Sequence, residues 1–221
     1  MPYRKYGTKR YRKKKPVASR WQNYSAAAGQ LAKDVSMLKS LVNVEFKNIE
    51  SASSSNPTSS GYMTLLNGIA EGDDINQRNG RSILIKSAYV KHTMKCATSG
   101  DTAYIRCILF WDKQPSGTAP TGSDLLDTVG GFDLVRAFRN LSNRKRFKII
   151  SDKTYTVVNG GPNYIRYTDK YIKMNTHTIY SSTGNTISSI SSNALYCFIV
   201  SDQPTVTPAV YMAYQLRYID N

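Results

Sequence analysis

The stretch "AVYMAYQLRYI", residues 209–219, carries the pattern that decides the fold class. Its larger apolar and aromatic side chains fall on every second position, at Val210, Met212, Tyr214, Leu216 and Tyr218. Successive side chains of a β-strand point to opposite faces of a sheet, so this spacing predicts a strand with one buried face. The same period recurs along most of the chain, which indicates a protein built mainly from strands.

Seven further segments have the composition of strands: residues 42–46, 62–66, 82–96, 104–111, 144–150, 171–180 and 194–200. In residues 82–96 the apolar positions change parity between Ile85 and Ala88, which predicts a bulge or bend. The intervening segments are rich in Gly, Pro, Ser, Thr and Asn, as loops are. Eight strands without alternating helices favour an all-β fold, an eight-stranded antiparallel jelly-roll sandwich.

The N-terminus is strongly basic. The chain has 30 Lys and Arg against 15 Asp and Glu, and its first acidic residue is Asp34. Residues 1–20 hold nine of the basic side chains, with three tyrosines among them: Arg4, Lys5, Lys9, Arg10, Arg12, Lys13, Lys14, Lys15 and Arg20, and Tyr3, Tyr6 and Tyr11. Blocks of like charge repel themselves, so the sequence predicts a disordered arm of the kind that binds nucleic acid.

The chemistry of this arm suits an unpaired strand. Each phosphate contact on a single strand contributes about −0.7 to the slope of log affinity against log salt, so nine contacts give about −6. Tyrosine rings stack on unpaired bases at about 1–3 kcal/mol per base. We therefore predict that the arm binds single-stranded nucleic acid. The run "KRYRKKKP", residues 9–16, also fits a signal read by the host nuclear import machinery, and a merely solubilising tail is the alternative.

Three parts follow from these patterns. Residues 1–24 form the disordered basic arm. Leu31, Val35, Leu38 and Val42 recur at helical spacing and predict a short connecting helix over residues 25–40. Residues 41–221 form the jelly-roll domain. No apolar run is long enough to span a membrane, and no apolar segment follows the basic start as it would in a secretory signal.

A second basic patch lies in "RAFRNLSNRKRFK", residues 136–148. It contains Arg136, Arg139, Arg144, Lys145, Arg146 and Lys148. Two interpretations stay open, a second nucleic-acid surface and an ordinary solvated strand face with its loop. An apolar series just before it and within it either packs against the sandwich or contacts another subunit: Leu125, Leu126, Val129, Phe132, Leu134, Val135 and Phe138.

We find no constellation that predicts catalysis, a cofactor or a metal. His92 and His177 are each isolated, and no phosphate-binding or nucleophile motif is present. Cys96, Cys107 and Cys197 are widely spaced, which favours buried free thiols over a disulfide or a zinc site. The acidic group Glu71, Asp73 and Asp74 favours an exposed turn, with a contribution to a calcium site as the alternative.

The order of several segments resembles that of the capsid (coat) proteins of circular Rep-encoding single-stranded DNA viruses, in the branch with a satellite tobacco necrosis virus-like jelly roll. The likeness is carried by "PYRKYGTKRYRKKKP", "LAKDVSMLKSLVNVEFK", "GIAEGDDINQRNGRSILIKSAYV" and "YIRCILFWDKQPSGTAP". The resemblance implies a homo-oligomeric T=1 icosahedral shell whose basic arms point inward and condense the genome. It implies a virion protein that can enter the host nucleus during infection.

The arm is shorter than in many circovirus-type coats and mixes Lys with Arg. These departures leave the packaged nucleic acid open: the resemblance favours DNA, and RNA, which satellite coat proteins enclose, stays possible. Two other classes of protein remain as alternatives to a capsid protein. One is a non-assembling protein that binds single-stranded nucleic acid, and the other is a carbohydrate-binding jelly roll with a targeting tail. Imaging separates the first from a capsid, and glycan binding by the loops separates the second.

Overall fold

The fold is taken from a computed structural model that describes residues 18–41, 45–97, 102–128 and 133–220. The chain divides into two compact units, residues 1–43 and residues 44–221. The described part of the first unit is one helix, α1 (Ala18–Leu41). No helix in the described part of the chain is both long and apolar enough to cross a membrane.

Helix α1 corrects the predicted boundaries of the first two parts of the chain. It begins seven residues before the predicted start at residue 25, so residues 18–24 are helical and not part of a disordered arm. The reason lies in the local sequence, because residues 18–28 contain neither Pro nor Gly, the two residues that most oppose a helix interior.

The described part of the second unit contains eleven strands and two short helical segments. The strands are β1 (Glu45–Ser55), β2 (Tyr62–Leu65), β3 (Ser82–Lys95), β4 (Thr102–Asp112), β5 (Leu126–Asp127), β6 (Phe138–Arg139), β7 (Phe147–Val158), β8 (Ile165–Tyr180), β9 (Ile190–Ser192), β10 (Ala194–Ser201) and β11 (Ala209–Asp220). Helix α2 (Gly122–Leu125) follows β4, and a 3-10 turn (Ile187–Ser189) precedes β9.

The pairing of the strands defines a jelly roll. The first sheet has the order β1-β11-β3-β8-β9 and the second sheet has the order β2-β10-β4-β7. Eight strands have four or more residues: β1, β2, β3, β4, β7, β8, β10 and β11. Among these eight, the first pairs with the last (β1 with β11), the second with the seventh (β2 with β10), the third with the sixth (β3 with β8) and the fourth with the fifth (β4 with β7), all antiparallel. This is one long hairpin folded over into two sheets, which confirms the predicted fold class.

The predicted strand faces are also confirmed. In β11, Val210, Met212, Leu216 and Tyr218 are at most 2% exposed, and Tyr214 is half-buried. At the predicted change of parity, Lys86 lies between Ile85 and Ser87, which pair with the adjacent Tyr218 and Arg217 of β11, so β3 has a bulge at Lys86. The pairing of β3 with β8 changes register at the same place. A single residue out of phase therefore divides β3 into two halves, each with its apolar side chains in the core.

Three strands extend further than their apolar patterns predicted. Strand β1 continues to Ser55, β7 continues to Val158, and β8 begins at Ile165. The extensions are rich in Ser, Thr, Lys and Asp, and they are held by backbone pairing to neighbouring strands. Apolar alternation cannot reveal such segments, because pairing of the backbone does not require buried side chains.

The outer face of the second sheet is covered. Strand β10 is buried on both faces, as the apolar run at residues 194–200 predicted. The segment between β4 and β7 lies across this face, and Gly122 sits against the ring of Phe198. Arg106 of β4 fixes the segment, because its Nη1 donates hydrogen bonds to the carbonyl oxygens of Val135 and Ala137. On the first sheet, by contrast, the outward side chains of Tyr171, Lys173 and Arg217 are exposed.

Candidate nucleic-acid interfaces

Most of the predicted arm lies outside the described residues. These positions are Tyr3, Arg4, Lys5, Tyr6, Lys9, Arg10, Tyr11, Arg12, Lys13, Lys14 and Lys15. Arg20 belongs to α1 by its backbone, two residues after the first helical position. The role of the arm in binding nucleic acid therefore stays a prediction from charge and composition.

The second basic patch divides into two groups. Arg146 forms a bidentate ion pair with the fully buried Asp112, at 2.9 and 2.7 Å, and its hydrogen bond to that carboxylate raises the pKa of the guanidinium. Arg139 lies 3.4 Å from Asp152, which Arg106 also binds. The charge of Arg146 is therefore committed to the fold, whereas the side chain of Arg139 is 53% exposed and contacts Asp152 only at the surface.

The other four members of the patch are exposed: Arg136, Arg144, Lys145 and Lys148. Their use as a second nucleic-acid surface remains a prediction. In the apolar series, Leu125, Leu126 and Val135 pack into the core and Leu134 is half-buried, whereas Phe138 is 74% exposed. Val129 and Phe132 lie outside the described residues. The series is therefore largely a packing feature, with Phe138 as its exposed exception.

The acidic group at residues 71–74 has a structural partner. Glu71 lies 3.2 Å from Arg78, whose guanidinium is fully buried beneath the loop, while Asp73 and Asp74 are exposed. Arg78 also donates hydrogen bonds to the carbonyl oxygens of Ile69, Gly80 and Ser182. Within the described ranges, no three His, Cys, Asp or Glu side chains are grouped so as to hold a metal ion.

Two of the three cysteines meet a histidine between the sheets. Cys96, Cys107 and Cys197 are buried free thiols, as predicted. Burial raises the pKa of Cys107 and raises that of Cys197 to about 12, so both stay protonated at neutral pH. His92 Nε2 lies 3.7 Å from Cys197 Sγ, beside a cavity of about 30 Å³, which is room for about one water molecule. The arrangement is a packed interior and not a reactive site.

Acid is expected to destabilise the domain through His92. Burial lowers the pKa of His92 from 6.5 to about 4, so the unfolded chain takes up a proton that the folded chain refuses. The free energy of unfolding should therefore fall as pH drops from about 6.5 to 4, by up to about 3 kcal/mol. Urea unfolding at a series of pH values measures this change. His92→Gln should flatten the curve in this range, and an unchanged curve would show that carboxylates alone cause the acid sensitivity.

The outer face of the first sheet carries a group of cations that no sequence pattern predicts. Lys86, Lys173 and Arg217 come from three different strands, yet all three line one surface depression. Their sequence signal is weak, since each is a single basic residue at an outward strand position. Only the register of the sheet brings them together.

Comparison with known proteins identifies the class of molecule. The family model described as Satellite tobacco necrosis virus coat protein matches residues 18–221. The coat protein of Maize white line mosaic Satellite virus is 26% identical over 156 residues, which cover 69% of each chain. The capsid protein of Satellite tobacco necrosis virus 1 is 34% identical over 100 residues, which cover 45% of this chain and 48% of that protein.

Two solved structures are more distant. A structure of Desmodium yellow mottle tymovirus has a TM-score of 0.37 at 10% identity, covering 80% of this chain and 88% of the other. The 60-mer BFDV capsid protein has a TM-score of 0.32 at 10% identity, covering 80% and 92%. The fold assignment rests on the strand pairing described above.

The jelly roll and the sequence match together define a viral coat protein. Its named relatives are coat and capsid proteins, which are structural proteins of virions. The chain belongs to the Satellite tobacco necrosis virus coat protein family. It is a structural capsid protein, as the sequence predicted, and not an enzyme.

Proposed function

We propose that copies of this chain assemble into a closed T=1 icosahedral shell that packages a single-stranded genome through the basic arm at residues 1–20. The observation that carries the proposal is the combination of a coat-protein jelly roll with nine basic and no acidic residues in that arm. The family membership supports the shell, and the charge of the arm supports the packaging.

The physical argument for packaging is avidity. One arm with nine charges binds a single strand weakly at physiological salt, because each contact loses strength as salt rises. Arms tethered to one closed shell share a high local concentration, so many weak contacts act together on one genome. The genome in turn offsets the repulsion between subunits that each carry a net charge of +15.

The nucleic acid is proposed to be single-stranded DNA, with RNA as the alternative. The resemblance to coats of circular single-stranded DNA viruses favours DNA, whereas the satellite virus relatives leave RNA open. Residues 9–16 are proposed to act as a nuclear-import signal, which a virus replicating its DNA in the nucleus requires. Digestion of extracted shell contents with DNase or with RNase separates the two possibilities.

Assembly is expected to be visible directly. Negative-stain electron microscopy of the purified chain at moderate salt should show round shells of uniform size. The ultraviolet absorbance spectrum of the shells should show the nucleic-acid maximum in addition to that of the protein. Small particles that persist across a salt series, with and without added single-stranded DNA, would contradict the shell. They would instead favour the alternative function, a non-assembling protein that binds single-stranded nucleic acid.

A further inference from the structure

The outer face of the first sheet contains a cationic depression. It has a volume of about 460 Å³ and lies over the bulge in β3. We call it the bulge depression. Eight residues line it. Lys47 is buried and paired with Asp220, and the other seven are outward or bulged: Phe46, Asn48, Lys86, Ser87, Tyr171, Lys173 and Arg217. Three of the seven are cations, two are aromatic, and none is a carboxylate.

The register of the sheet explains why these residues converge. Lys173, Ser87, Arg217 and Asn48 lie opposite one another on β8, β3, β11 and β1, so they form one row across four strands. The buried Ser87 provides a low floor between two long basic side chains. The bulge then adds Lys86 next to this row, because an unpaired residue re-aims its side chain.

The charge of the depression is available to a ligand. Lys86 donates a hydrogen bond to the amide oxygen of Asn175 at 2.9 Å, a neutral partner. Lys173 and Arg217 are exposed, and neither is joined to a carboxylate by an ion pair among the residues that the structure describes. Three cations without an acid between them attract an anion with several charges, and a phosphodiester strand is such an anion.

The aromatic side chains suit unpaired bases. Phe46 is 69% exposed and Tyr171 is 63% exposed, and they lie at opposite ends of the depression. Tyr171 is held in an edge-to-face contact with Tyr89, whose ring centroid is 6.5 Å away. Exposed rings beside phosphate-binding cations are the combination that single-stranded nucleic-acid sites use, since every base has a face to stack.

We propose that the bulge depression binds a short segment of single-stranded nucleic acid, with Lys86, Lys173 and Arg217 on phosphates and Tyr171 stacked on a base. This site deepens the proposed packaging function and rests on it. It would make the first sheet the genome-facing surface of the subunit, while the second sheet has its own covering segment. The site is independent of the arm in its residues, so the two can be tested separately.

A charge-matched pair of full-length variants tests the site. The first changes Lys86, Lys173 and Arg217 to Gln, and the control changes the exposed Lys113, Lys153 and Arg81 to Gln. Three lost phosphate contacts lower the salt slope by about 2, which corresponds to about 100-fold weaker binding at 0.1 M salt. Titration of a short fluorescent oligothymidine across a salt series measures both quantities. The control variant should lose clearly less oligonucleotide affinity than the variant of Lys86, Lys173 and Arg217.

Photocrosslinking tests the contact itself. Irradiation of shells with enclosed nucleic acid, followed by peptide mass spectrometry, should find an adduct on Tyr171 or Phe46. Tyr171→Ala should weaken oligonucleotide binding about tenfold, and Tyr171→Phe should restore it, since the phenyl ring stacks as well.

Three outcomes would overturn this inference. One is equal losses in the two triple variants, and another is adducts confined to residues 1–20; both leave the packaging proposal standing. The third is a triple variant that binds oligonucleotide normally but fails to form shells in the microscope, which would make the face a contact between subunits. Failure of the packaging proposal itself would appear differently, as shells or subunits that retain no nucleic acid in the unaltered chain.

Discussion

A chain whose nine basic residues in positions 1–20 are changed to glutamine is expected to keep its jelly roll and to lose most of its nucleic acid. The arm supplies about −6 of the salt slope, so between 50 and 200 mM salt its contribution to affinity changes by roughly 10⁴-fold. The altered chain should bind with a small slope, about −2, from the three cations of the bulge depression. Oligonucleotide titration and the nucleic-acid content of purified shells measure the loss.

A matched control separates charge from side-chain identity. Exchanging every Lys for Arg and every Arg for Lys within the arm keeps nine charges and should keep most of the binding. Changing Tyr3, Tyr6 and Tyr11 to Leu should weaken binding without altering the salt slope, because stacking releases few counterions. If the glutamine chain retains as much nucleic acid as the unaltered chain, the arm is not the packaging element.

The second large effect is expected at Arg78. Changing Arg78 to Met should lower the free energy of unfolding by about 3–5 kcal/mol, since it removes the cation and leaves its buried acceptors unpaired. The side chain joins Ile69 at 3.0 Å and Glu71 at 3.2 Å, and its guanidinium carbon lies 4.0 Å from the ring centre of Tyr180. Urea unfolding of the subunit at neutral pH measures the change.

Two companion variants sharpen this test. Arg78→Lys keeps the charge but lacks the planar guanidinium that binds several acceptors at once. Its free energy of unfolding should therefore lie between that of the methionine variant and that of the unaltered chain. The exposed Arg81→Met should change stability by at most about 0.5 kcal/mol. If the free energy of unfolding of Arg78→Met lies within about 1 kcal/mol of that of the unaltered chain, the loop at residues 67–81 is held mainly by its backbone hydrogen bonds.

The fold could be predicted because its strands alternate visibly. Residues 209–219 and residues 82–96 each bury every second side chain on one face, so their periodicity reflects the physical division between core and solvent. The extensions of β1, β7 and β8 could not be predicted in this way. Their polar residues are held by backbone pairing with strands distant in the sequence, which no local pattern records.

The candidate sites were predictable only where charge is contiguous. The arm is evident because nine cations occupy 20 positions. The second patch was contiguous as well, yet the buried Asp112 that pairs with Arg146 and the half-buried Asp152 near Arg139 lie elsewhere in the sequence. The cations of the bulge depression, by contrast, are not contiguous in the sequence. Its cations are separated by up to 131 positions, so only the strand register brings them together.

The bulge in β3 shifts the alternation of apolar residues by one position along the strand. If Lys86 is omitted from the sequence, Ile83, Ile85, Ala88 and Val90 fall into one unbroken alternation, and β3 pairs with β11 without a gap. On its other side, Met174 and Asn175 of β8 then have no residue opposite them. Omission of any residue between Ala88 and Met94 would instead send part of the core to the surface. Lys86 is thus an insertion that the hydrophobic pattern does not need. One added codon can therefore place a new basic side chain on a sheet while leaving the apolar residues of its core unchanged.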